Sequence, residues 1–212
     1  MNSYSHAREE MVRLGKYLQD RQLAQGTSGN LSIRLEDGNV LCTPTNSCLG
    51  DLNPERLSLL DLQGNHIGGD KPTKESLFHM ALYSAREKAQ AVVHLHSTNC
   101  VAIACQRHAN EKDVFQPLTP YYVMKIGSLP LLPYFAPGDA ALAAAVGDCA
   151  VSHKAMLLAN HGPVVSGSSL QDAVMCYEEL EETAKLSLLL KNSQVSPLSA
   201  GQVAELRRRF PD

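Results

Sequence analysis

Ala91-Val92-Val93-His94-Leu95-His96-Ser97 is the stretch on which the fold turns. Its opening Ala-Val-Val is apolar and partly β-branched, the composition of a buried strand. Side chains alternate along a strand, so His94 and His96 share one face. Two imidazoles so placed form a bidentate grip on a divalent cation, although the same pair also suits an edge strand with both rings hydrogen-bonded. A third histidine weighs for the metal. Ala155-Met156-Leu157-Leu158-Ala159 reads as another apolar strand, ending in Asn160-His161 and a Gly162-Pro163 breaker. Little side-chain bulk surrounds His161 there. Three neutral imidazoles leave an open position on a zinc-like ion, as catalytic sites require.

Around these strands the periodicity predicts helices and hairpins. Residues 6–23 form an amphipathic helix with Met11, Leu14 and Tyr17 or Leu18 on its apolar side. The small-residue turn Gly26-Thr27-Ser28-Gly29-Asn30 leads into the alternating strand Leu31–Leu35. Asp37-Gly38 then turns the chain into a strand over 39–42. A further hairpin spans 59–66. A helix starts near Pro72-Thr73, with Thr73 as its N-cap and Leu77, Phe78, Ala81, Leu82 and Ala85 as its stripe. Helices are also expected over 99–107, 139–152, 170–191 and 200–209. In the long one, Glu178, Glu181 and Glu182 belong to a solvated face. Strands are expected at Leu129–Tyr134, on an edge because of its prolines, and at 163–165. Hairpin-paired strands with helices between them give an α/β or α+β sandwich.

The 212 residues suit one domain spanning 1–212, and a net charge of −3 gives no footprint for nucleic acid. The Arg207-Arg208-Arg209 cluster reads as a solvated helix end. No apolar run reaches membrane-span length, and the polar start of the chain does not read as a secretory signal. Six cysteines without a C-x-x-C pair suit small buried residues in a reducing compartment, which points to the cytoplasm. Cys48 stands apart, in a polar loop.

Glu75 follows Lys71-Pro72-Thr73-Lys74 at the start of a helix. An acidic residue there complements the helix dipole. It can equally ligate the metal or move a proton beside it. His79, one turn on, reads as a packing or orienting residue. Three segments suit an anion: Gly26–Asn30, Thr43-Pro44-Thr45-Asn46-Ser47, and Thr73-Lys74 at a helix N-terminus. No Walker loop, dinucleotide fingerprint, G-x-S-x-G elbow or H-E-x-x-H helix is present.

His94-x-His96, Asn160-His161-Gly162, Thr73-x-Glu75 and Ser28-Gly29-Asn30 together resemble the class II aldolase/adducin family, from about Gly26 to Lys185. Thr43–Gly50, Gly69–Glu75, Thr119-Pro120-Tyr121 and Glu178–Lys185 are similar to its branch that decarboxylates 3-oxo-tetronate 4-phosphate. The resemblance implies a three-layer αβα sandwich with a central, mainly antiparallel sheet. It implies Zn2+, or another divalent ion such as Mn2+ or Co2+, on His94, His96 and His161. Glu75 is then the acid/base and a further ligand when substrate is absent. Phosphate falls to Asn30, Thr45, Asn46, Thr73 and Lys74. A homotetramer with sites at subunit interfaces is implied, with Tyr121, or next Tyr122, helping to protonate the substrate.

Lys74 stands where the family's aldolases usually have serine, and Asn46 where the family usually has glycine. Asn46 can keep the left-handed backbone that glycine would supply. The implied reaction releases CO2 and dihydroxyacetone phosphate through a metal-stabilised enediolate. The alternatives are a sugar-phosphate aldolase or epimerase of the L-fuculose-1-phosphate aldolase kind, and a non-catalytic scaffold like the adducin head. All three histidines and Glu75 are present, which weighs against the scaffold.

Overall fold

The structure is a computed structural model that describes residues 3–211; Met1, Asn2 and Asp212 of the expected 1–212 domain lie outside the described residues. The strands are β1 (Asn30–Arg34), β2 (Val40–Cys42), β3 (Ser58–Leu60), β4 (His66–Gly68), β5 (Ala91–His94), β6 (Leu131–Leu132), β7 (Ala155–Leu158) and β8 (Gly162–Gly167). They form one sheet in the order β4-β3-β2-β1-β5-β8-β7-β6. Every pairing is antiparallel except that of β6 with β7. The helices are α1 (Ser3–Asp20), α2 (Ser76–Ala85), α3 (Thr98–Ala104), α4 (Pro120–Lys125), α5 (Ala140–Ala150), α6 (Leu170–Leu189) and α7 (Ala200–Arg209).

Alternation along β5 builds the two sides of the sandwich. Ala91 and Val93 join a core with residues of α1, α3, α4 and α6, while Val92 joins another with residues of α2 and α5. The sheet is thus covered on both faces, giving the αβα layers. The short edge strands β4 and β6 limit unpaired backbone, and Pro130 and Pro133 flank β6. On α1 the buried stripe is Met11, Leu14 and Leu18, whereas Tyr17 is 37% exposed. Each of those three buried side chains contributes about 1.5–3 kcal/mol.

Four expectations need correction. Leu77, expected on the apolar stripe of α2, is 51% exposed. The helix expected near Pro72-Thr73 begins at Ser76, with Glu75 as its N-cap; Thr73 Oγ1 instead accepts the Glu75 N–H at 3.3 Å, in the turn before it. Pro72 explains the delay, because its isolated bridge to Pro44 holds this segment extended. Glu181 does not lie on a solvated face of α6 but is 9% exposed. The cysteines are mixed: Cys42, Cys100 and Cys176 are buried, Cys48 and Cys149 half-buried, and Cys105 exposed.

Gly29 has φ of +84°, and a Cβ there would meet the His94 carbonyl oxygen at 2.9 Å and Leu95 Cδ2 at 2.8 Å. The missing side chain lets the turn before β1 close against the strand that carries His94. Gly29→Ala is expected to destabilise the fold by about 1–3 kcal/mol, read from urea unfolding.

Candidate metal centre

The three histidines reach one point from three backbone positions. His94 ends β5, His96 follows two residues later on the same side, and His161 lies at the tip of the β7–β8 hairpin. Asn160 supplies the left-handed residue of that tip, with φ of 57°. Since β5 and β8 are neighbours, both ends open at the same place. His94 Nε2 lies 3.0 Å from His96 Nε2 and 3.3 Å from His161 Nε2. Glu75 closes the group from the start of α2, with Oε2 at 3.4 Å from His94 Nε2 and Oε1 at 3.3 Å from His161 Nε2. One donor atom from each of the four residues fits within 4.8 Å of the others.

His94 is fully buried, and its Nδ1–H donates to the Pro163 carbonyl at 2.9 Å. That bond assigns the tautomer and leaves Nε2 bare. Burial, reinforced by the neighbouring imidazoles, holds the His94 pKa well below the usual histidine range. Burial also lowers those of His96 and His161, with Glu75 opposing it in both. Neutral rings are the metal-binding form. Among the described residues, none donates a hydrogen bond to the buried Glu75 Oε1. The bare His94 nitrogen, two further imidazole nitrogens and a buried carboxylate thus face one point. The donor set therefore fits a divalent ion.

Above the cluster is a cavity of about 160 Å³, lined by Thr27–Asn30, Pro44–Asn46, Thr73–Glu75, His96, Pro137 and His161. All five residues expected to face phosphate line it. Asn46 has φ of 58°, the backbone a glycine would take. Lys74 is exposed at the rim. The Asn30 side chain is already engaged: Nδ2 donates to Glu75 Oε2 at 2.7 Å and Oδ1 lies 2.6 Å from His79 Nε2. His79 is pushed down to about 3 by burial and lies beside the donors rather than among them. Cys48 lines a neighbouring cavity with Asp51 and Arg56.

Tyr121 is not brought to the cavity of its own chain; it is 58% exposed on α4. Tyr122 is buried and donates to Asp113 Oδ1, and burial raises its pKa.

Glu181, buried rather than solvated, anchors the loop beyond His96. It accepts from Ser97 Oγ at 2.6 Å, Asn99 N at 2.9 Å, Asn99 Nδ2 at 2.8 Å and Cys100 N at 2.9 Å, at the N-terminus of α3. Tyr177, one turn earlier on α6, donates to the Leu95 carbonyl at 2.9 Å. The spacing 177, 181, 184 on the apolar side of α6 was the available signal. Pro137, on the loop after β6, gave no signal.

A family model described as "Class II Aldolase and Adducin N-terminal domain" matches residues 9–188. The chain is 50% identical over 200 residues to 3-oxo-tetronate 4-phosphate decarboxylase of Escherichia coli K12, covering 94% of each. It is 36% identical to L-fuculose phosphate aldolase of Methanococcus maripaludis, covering 86% of this chain and 97% of that one. The crystal structure of Escherichia coli YgbL superposes with a TM-score of 0.95 at 48% identity, covering 97% of this chain and 100% of the other.

Glu181→Gln is expected to cost about 1–3 kcal/mol in unfolding free energy, because four donors lose a charged acceptor; chemical denaturation checks it.

Proposed function

Because the chain belongs to the class II aldolase and adducin family, we propose that it is a carboxy-lyase converting 3-oxo-tetronate 4-phosphate to dihydroxyacetone phosphate and CO2. The observation that carries this reading is the identity to the decarboxylase along nearly the whole of both chains, with a histidine–glutamate cluster facing the cavity.

His94, His96 and His161 hold the ion, and Glu75 completes the set when substrate is absent. Zinc suits three imidazoles and a carboxylate, and Mn2+ or Co2+ satisfies the same donors. Bound there, a divalent ion supplies Lewis acidity that stabilises negative charge developing on the substrate's C3 oxygen. The remaining work falls to the chain. Thr45, Asn46, Thr73 and the second Asn30 amide proton hold the phosphate. Lys74 neutralises the substrate's carboxylate or its phosphate. The C1–C2 bond breaks, its electron pair passes toward the C3 oxygen, and CO2 leaves. The enediolate is then protonated at C2, by Glu75 or by Tyr121.

Tyr121, exposed on α4, would serve the site of a neighbouring copy, in the homotetramer with sites at subunit interfaces that the family resemblance implies. Each chain acts as one domain over 1–212, in the cytoplasm. Among the described residues no helix is long and apolar enough to cross a membrane. A second reading is aldol cleavage or epimerisation of a ketose phosphate. It draws on the similarity to L-fuculose phosphate aldolase, because the same enediolate serves both reactions.

Metal-loaded protein given 3-oxo-tetronate 4-phosphate is expected to release CO2 and dihydroxyacetone phosphate in equal amounts. A chelator abolishes this, and Glu75→Gln lowers kcat by about 10²–10⁴-fold. An aldehyde product from a ketose phosphate, without CO2 from the acid, assigns the second reading. Lys74→Ala is expected to raise KM by about tenfold or more at unchanged metal content. Unchanged kinetics remove Lys74 from substrate binding.

A further inference from the structure

Glu75, His79 and Tyr83 stand four residues apart along α2 and its N-cap, forming one stripe. Asn30 and Ser32 stand two apart on β1, on the sheet face against which that stripe packs. All five are buried. They are joined without a gap: Tyr83 Oη to Ser32 Oγ at 2.8 Å, Ser32 Oγ to His79 Nδ1 at 2.7 Å, His79 Nε2 to Asn30 Oδ1 at 2.6 Å, and Asn30 Nδ2 to Glu75 Oε2 at 2.7 Å.

The charged end sets the direction of the chain. A carboxylate only accepts, so Asn30 must present its NH2 to Glu75. The Asn30 carbonyl then faces His79 and also only accepts, so His79 carries its proton on Nε2. Nδ1 is left as an acceptor and takes the Ser32 hydroxyl proton, while Ser32 takes that of Tyr83. Every donor points toward Glu75. Packing α2 on β1 does not require this, since apolar residues would fill the space without burying five polar groups.

We propose that His79 is a positioning residue for Glu75, acting through the Asn30 carboxamide, with Ser32 and Tyr83 fixing its tautomer. The inference rests on the reading of Glu75 as the acid/base. The chain fixes Oε2 and leaves the unpartnered Oε1 turned to His161 and the cavity. Without the His79 donor, the Asn30 amide can turn over and set its carbonyl against the carboxylate, which drives Glu75 off its position.

Two measurements test it. Long-range 1H–15N correlation spectra of the histidine side chains, assigned by the signal lost in His79→Gln, read the tautomer without substrate. The Nε2–H form is expected, and the Nδ1–H form overturns the proposal whatever reaction the enzyme performs. In kinetics with its own substrate, His79→Leu is expected to lower kcat by about 10- to 100-fold with little change in KM. His79→Gln, whose amide nitrogen replaces the donor, recovers most of that loss. An equal loss in both variants, or none in His79→Leu, contradicts the proposal.

Discussion

Burying His94 at the end of β5 commits one ring nitrogen to the Pro163 carbonyl and leaves the other bare among two further imidazoles and a carboxylate. Four donor groups gathered at one point need a scaffold that fixes each of them. The scaffold does so from both faces of the sheet. On one face α2 brings Glu75. On the other, α6 ties down the loop beyond His96 through Glu181 and Tyr177. The sheet itself aligns the open ends of β5 and β8, so that His94 and His161 meet.

Polar groups near the centre are allotted with little left over. Pro163 takes the His94 proton, Asn30 takes one Glu75 oxygen, and Glu181 satisfies the start of α3. What remains unpartnered there, Glu75 Oε1, faces the histidine cluster and the cavity. Fixed surroundings and free donor atoms are what a site needs if it is to hold an ion and still admit substrate.

The histidine cluster was legible in the sequence because its signal is local: two histidines at strand spacing, and one at a strand end beside glycine. The alternating sheet, the hairpin at Asp37-Gly38 and the proline-marked edge at β6 were legible for the same reason. Glu181 was not, because its partners lie some 80 residues away and a glutamate on a long helix reads as solvated. The polar stripe Glu75–His79–Tyr83 was half legible. His79 read as an orienting residue, but its partners on β1 required knowledge of which strand α2 covers. The expected start of α2 is early because Thr73 reads as an N-cap, whereas the bridge between Pro44 and Pro72 keeps the chain extended.

If His94, His96 and His161 hold one divalent ion with room left for substrate oxygen, X-ray absorption of the zinc-loaded protein at the metal edge will show one ion per chain, with three imidazoles at about 2.0–2.1 Å and the rest of the shell oxygen. In His161→Ala one imidazole is lost from that shell. A shell without histidine, or one unchanged by the substitution, would mean that these histidines do not hold the ion.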